Sequence, residues 1–222
     1  VEIQFTNTGY RKVAVMKEVR KGEVKDPYLP SVYGVGILGT KYPPSMSGRN
    51  TKEYNLWQNM LQRCYSDTFQ KKRPTYEGCE ASENFLYYEY FYEWCQNQIG
   101  FSNQGWHLDK DLLIKGNKVY SGPTCVFIPS EINAILTKRT ASRGEHLIGV
   151  HWSKTHKAFK AQVSKGKGKQ ECLGYFNTEI EAFNAYKTAK EAFIKEQANE
   201  WKSQIDYRAY EALMNYTVEI TD

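Results

Sequence analysis

An α+β fold in three parts is what this sequence predicts, on three observations. Residues 147–176, LIGVHWSKTHKAFKAQVSKGKGKQECLGYF, alternate apolar and polar side chains in three short runs, and a helical repeat, Asn177–Trp201, follows them. Residues 1–24 alternate in the same way on either side of NTGY. Between these regions the chain sets aromatic stripes at helical spacing beside a strand–turn–strand–helix pattern. A period of two sorts side chains onto the two faces of a sheet, and a period near 3.6 gathers them on one face of a helix. The expected organisation is therefore an N-terminal β segment (1–35), a helical and ββα middle domain (36–136), a basic linker (137–146), and a three-stranded sheet packed on one helix with further C-terminal helices (147–222).

The elements follow in order. VEIQF and KVAVMKEV, joined by NTGY, read as a β-hairpin. VYGVGILGTKYPPSMSGRN is rich in Gly and Pro and reads as loop; its GVGILG run lacks the following helix that a nucleotide-binding loop requires. Lys52–Tyr65 predicts a helix with Tyr54, Trp57, Met60 and Leu61 on one stripe, and SDTFQKKRPTYEGC a loop after it. A second, aromatic helix is expected from about Ser82 to Gln98, with Phe85, Leu86, Tyr88, Phe91, Tyr92 and Trp94 forming core. The segment WHLDKDLLIKGNKVYSGPTCVFIPSEIN predicts a strand at His107–Ile114, a turn at Lys115–Lys118, a strand at Val119 and Tyr120, a turn at Ser121–Thr124, and a last strand leading into a helix capped by Ser130.

In the C-terminal part, Val150 and Trp152 point to one side of the first strand, His151 and Ser153 to the other. Phe159, Ala161 and Val163 form the apolar face of the second strand, and Lys160, Gln162 and Ser164 the polar one. Leu173 continues the apolar face in the third strand, with Gln170 and Cys172 opposite. Asn177 or Thr178 caps the helix, with Glu179 and Glu181 near the positive end of its dipole. Ala182, Phe183, Tyr186, Ala189, Ala192 and Phe193 cover the sheet. That spends one sheet face on the core and leaves the other polar and basic, alongside the turn lysines Lys165, Lys167 and Lys169. In the linker, Lys138, Arg139 and Arg143 are candidates to track phosphates.

A formal charge of +5 at 222 residues, with 17 Tyr, 10 Phe and 5 Trp, permits a nucleic-acid partner without demanding one. The 41% hydrophobic content holds no apolar run long enough to cross a bilayer, so no membrane partner is expected. Five scattered cysteines without a C-x-x-C pair support neither a disulfide framework nor a zinc ribbon, and a cytoplasmic location with no zinc is expected. No small-molecule substrate is indicated. His146, His151 and His156 lie in the linker and the first strand and turn, with no convergent ligands to make a zinc site.

GVHW…FKAQV…LGYFNTEIEAFNAYKTA resembles the ethylene-response-factor type (AP-two/ERF) DNA-binding domain over roughly Leu147–Ala198. The resemblance implies a sheet laid in the major groove of double-stranded DNA, with His151, Ser153, Lys160, Gln162, Gln170 and Cys172 as contacts. Plant members carry mostly Arg and Trp there, so bidentate arginine readout is not implied for this chain. The middle region resembles phage HNH (ββα-metal) homing endonucleases through W-x-x-M-x-x-R-C-Y at Trp57–Tyr65, P-x-Y-x-G at Pro74–Gly78, L-D-K-D at Leu108–Asp111, N-K-x-Y-S at Asn117–Ser121, C-x-F-x-P at Cys125–Pro129 and I-N at Ile132–Asn133. F-x-N-T-G-Y and G-x-V-K-D-P-Y, at Phe5–Tyr10 and Gly22–Tyr28, are similar to a segment of the same nucleases. This resemblance implies phosphodiester cleavage with Mg²⁺ or another divalent metal held by Asp109 and Asp111. The family's Asp-His pair stands here as Asp109-Lys110, so His107, two residues away on the strand, becomes the candidate general base and Lys110 a charge stabiliser. Three alternatives stay open: a catalytically inactive DNA-binding protein, a regulator or nuclease inhibitor, on the same framework; a protein–protein module that only reuses the folds; and an ordinary solvated strand in which Asp109, Lys110 and Asp111 make surface ion pairs.

Overall fold

The computed structural model describes residues 1–137, 144–166 and 168–222, and the fold is α+β. The chain forms two compact units that do not follow chain order: Val1–Asn97 with Ile114–Cys125, and Gln98–Leu113 with Val126–Asp222.

The first unit opens with the expected hairpin, β1 (Glu2–Gln4) and β2 (Arg11–Val13), paired antiparallel from Glu2↔Val13 to Gln4↔Arg11. The second run does not stay extended: Met16–Arg20 forms a short helix, α1, in place of the expected strand. A two-residue hairpin follows, β3 (Ser45–Met46) and β4 (Arg49–Asn50). Helix α2 spans Lys52–Tyr65 as expected, because the Thr51 side chain accepts the Tyr54 N–H at 3.2 Å and Trp57, Met60, Leu61 and Cys64 give it one buried stripe. The stretch expected as loop instead forms a second helix, α3 (Asp67–Lys72), started by a Ser66 cap on the Phe69 N–H, and a single 3₁₀ turn at Pro74–Tyr76.

The aromatic helix starts later than expected. Glu83–Leu86 is a 3₁₀ turn, and α4 spans Tyr88–Gln96. Phe85 anchors the turn instead, since its carbonyl accepts the Trp57 indole N–H at 2.8 Å. Gly36, in the GVGILG run, serves packing: a Cβ there would lie 2.5 Å from Leu61 Cδ1 and 2.8 Å from the Trp57 ring. A further pair completes this unit, β5 (Glu80–Ala81) lying parallel to β7 (Val119–Tyr120). Tyr120 is buried, beside Arg63.

In the second unit β6 (Trp106–Asp109) pairs antiparallel with β8 (Val126–Pro129), in register from Trp106↔Pro129 to Asp109↔Val126, and α5 (Ser130–Leu136) follows. The expected strand to Ile114 stops at Asp109, and the Val119–Tyr120 strand belongs to the other pairing just described. The cap of α5 is Pro129, without a side-chain bond; the Ser130 hydroxyl turns to Glu131 at 3.0 Å. Next come β9 (Val150–Ser153), β10 (Ala158–Ser164) and β11 (Gln170–Phe176), antiparallel in the order β11-β10-β9. Helix α6 (Glu179–Trp201) begins with a full capping box, Thr178 and Glu181 each bonding the other's backbone N–H, and α7 (Tyr207–Met214) closes the unit.

Helix α6 serves two cores in succession. Its first half, with Ala182, Phe183 and Tyr186, packs on Val150, Ala161 and Val163 of the sheet. Its second half, with Phe193, Ile194 and Ala198, packs on Val126 and Ile128 of β8, Ile132 and Ile135 of α5, and Ala209 and Leu213 of α7. Gly149 lets β9 approach α6: it sits at φ +76°, and a Cβ there would lie 2.1 Å from the Tyr186 ring.

Candidate nucleic-acid interface

The sheet face turned away from α6 is built by cross-strand register. Lys160 stands between His151 of β9 and Tyr175 of β11, Gln162 opposite Cys172, and Ser164 opposite Gln170. The face therefore carries His151, Ser153, Lys160, Gln162, Gln170 and Cys172 together, and the Gln162 amide nitrogen donates to the Gln170 amide oxygen. Partial burial, then the charge of Lys160 and that of His146, hold the His151 imidazole below its usual range. The Ser153 hydroxyl receives the His156 backbone N–H and meets the His156 ring at 3.1 Å. Among the described residues, no carboxylate shares this face by register.

Two contributors escaped the sequence reading. Straight alternation from Leu173 would turn Tyr175 toward the helix. The pairing instead shifts between Ala161↔Gly174 and Gln162↔Cys172, leaving Leu173 as the extra residue of a β-bulge, with Gly174 at φ +135°. The bulge moves Tyr175 to the polar face, 44% exposed. His156 stacks on its ring, centroids 3.8 Å apart. The available signal was the glycine inside the strand, which marks a bulge or a close approach. Trp152 lies on the α6 side, edge-on to Phe159 at 5.0 Å, and is 44% exposed.

Of the turn lysines, Lys165 is held by Glu171 at 2.7 Å, and Lys169 is exposed. Lys167, Lys138, Arg139 and Arg143 lie outside the described residues.

The acidic strand of the ββα segment is arranged differently. Asp109 Oδ1 accepts the backbone N–H of Asp111 at 3.0 Å and of Leu112 at 2.7 Å, and this turn is what ends β6. Asp111 thus lies beyond the strand and does not share its alternation with His107 and Asp109. Burial, then the neighbouring Asp111, push the Asp109 carboxyl up to about 6. Lys110 turns inward, only 7% exposed, and its ammonium pairs with Asp111 at 3.3 Å, so it is neither a solvated surface charge nor turned toward a phosphate in solution. His107 is exposed. Asp109 and Asp111 each already hold a partner, and among the described residues no three His, Cys, Asp or Glu side chains gather as metal ligands.

Among the described residues no helix is long and apolar enough to cross a membrane. No protein-family model matches the chain, and neither a curated protein nor a solved structure does.

Proposed function

We propose that the chain binds double-stranded DNA through the polar face of β9–β11. The observation that carries this reading is the face itself: one lysine, two linked amides, imidazole and phenol rings and, among the described residues, no carboxylate by register, in three neighbouring strands. Strands about 4.8 Å apart make a surface about 10 Å across. That width suits the B-DNA major groove, about 12 Å wide. The lysines of the β10–β11 turn and the basic residues at 138–143 stand beside it in the chain to neutralise phosphates. Titration of a labelled duplex at increasing salt tests this. Five to six phosphate contacts give a log–log slope of about −5; no binding at low salt, or a flat dependence, refutes it.

A second reading, metal-dependent phosphodiester cleavage, is favoured by one observation: an antiparallel strand pair followed by a helix, with Asp109 ending the first strand. The bonds that Asp109 Oδ1 and Asp111 Oδ2 already make weigh against it. Incubation with supercoiled DNA and Mg²⁺ or Mn²⁺ separates the two readings. Nicking that Asp109→Ala abolishes establishes cleavage; binding without nicking leaves the DNA-binding reading.

A further inference from the structure

We infer that the Gln162–Gln170 pair is a base reader that selects adenine, so that the sheet face prefers A·T over G·C duplex; this rests on the DNA-binding reading above. The two side chains project from adjacent strands on the polar face, two residues along β10 from Lys160, and their amides are joined by a hydrogen bond. That bond uses one N–H of Gln162 and the carbonyl oxygen of Gln170. It leaves Gln162 with its carbonyl oxygen and a second N–H, an acceptor and a donor side by side on one planar group.

Adenine presents the complementary pattern in the major groove, the N6 amino donor beside the N7 acceptor, whereas guanine presents two acceptors and calls for two donors. Among the described residues no arginine lies on this face by register, and Lys160, which could donate to guanine, is a separate group two residues away along β10. Gln170 acts as a positioning residue. By holding the Gln162 amide in one orientation before DNA arrives, it lowers the ordering cost of binding. Its place on the edge strand, opposite Ser164, keeps it out of both hydrophobic cores.

The test compares three duplexes of equal length with the whole chain at one salt concentration. One is built of mixed A·T steps, one of mixed G·C steps, and the third is the A·T duplex with 7-deazaadenine for adenine. The last removes only the N7 acceptor and keeps Watson–Crick pairing. A·T duplex should bind about 5- to 150-fold tighter than G·C duplex, the range of one bidentate contact. The 7-deaza duplex should lose most of that margin. Gln162→Ala should bring the three affinities together without changing the melting temperature. Gln170→Ala should shrink the 7-deaza penalty without changing the melting temperature, which a purely structural role would not do. Equal affinity for the three duplexes, or tighter binding to G·C, overturns the adenine assignment and leaves DNA binding standing. No binding to any duplex at low salt overturns both.

Discussion

The second unit contains two small modules on one helix, and they dispose of their charges in opposite ways. In the β6–β8–α5 module Lys110 and Asp109 turn inward or back on the chain: Lys110 is buried and pairs with Asp111, and Asp109 ties down two backbone N–H groups, while His107 stays exposed. In the β9–β11 module the polar residues turn outward, and bonds run between side chains on the surface, Gln162 to Gln170 and Ser153 to His156. Residue types that look equally chemical in a sequence thus differ in what remains to offer a ligand. A carboxylate whose oxygen already closes a turn is taken up by the fold, whereas an amide with a donor and an acceptor left over can still meet a ligand.

The largest effect expected concerns the helix both modules share. Ile194 is fully buried in the second core of α6, and Ile194→Ala should cost about 2–5 kcal/mol. Because the first half of the same helix covers the sheet, urea unfolding followed at Trp152 and at Trp201 should shift by the same amount. Separate shifts would break the picture of two modules on one helix.

Asp109 comes next. Its folded pKa of about 6 lies above the unfolded value near 3.9, so the folded state holds the proton more tightly. The stabilising contribution is complete below about pH 4 and is lost as pH rises through about 6. Asp109→Asn keeps an acceptor for the Asp111 and Leu112 N–H groups and removes the charge. It should raise stability at pH 7 by about 1–3 kcal/mol and flatten the pH dependence between 4 and 6 in thermal melts. A loss of stability at pH 7 would show the charged carboxylate to be favourable there, and would put the two modules on the same footing.

Smaller still is the contrast between the two lysines. Lys160→Ala should weaken duplex binding with little change in melting temperature, while Lys110→Ala should lower the melting temperature. Reversed outcomes would exchange the roles of the two strands. The smallest effect is at Glu171, an exposed partner of Lys165. Glu171→Gln should release that lysine and tighten duplex binding by at most about fivefold, the ceiling of a surface ion pair. No change would show Lys165 to be uninvolved.

Much of this was legible in the sequence, and the gaps have physical causes. Lys52–Tyr65 could be read, and the cap of α6 narrowed to Asn177 or Thr178, because cap and stripe are local signals. The three-stranded sheet could be read because its alternation is unbroken as far as Leu173. Tyr175 was missed because one inserted residue reverses every side chain after it. The end of β6 was missed because an aspartate that bonds its own backbone looks, in sequence, like any strand acid. The parallel pairing of Glu80–Ala81 with Val119–Tyr120 joins segments far apart in the chain, and no local pattern announces it.

The double duty of α6 has a consequence for inheritance. Its 23 residues are packed first by the sheet and then by β8, α5 and α7. A lineage that needed only the polar face of the sheet would still be under selection to keep Val126, Ile128 and Ile132, since losing them would erode the helix on which that sheet rests. The β6–β8–α5 module is in that sense part of the sheet's foundation, whatever its own surface does.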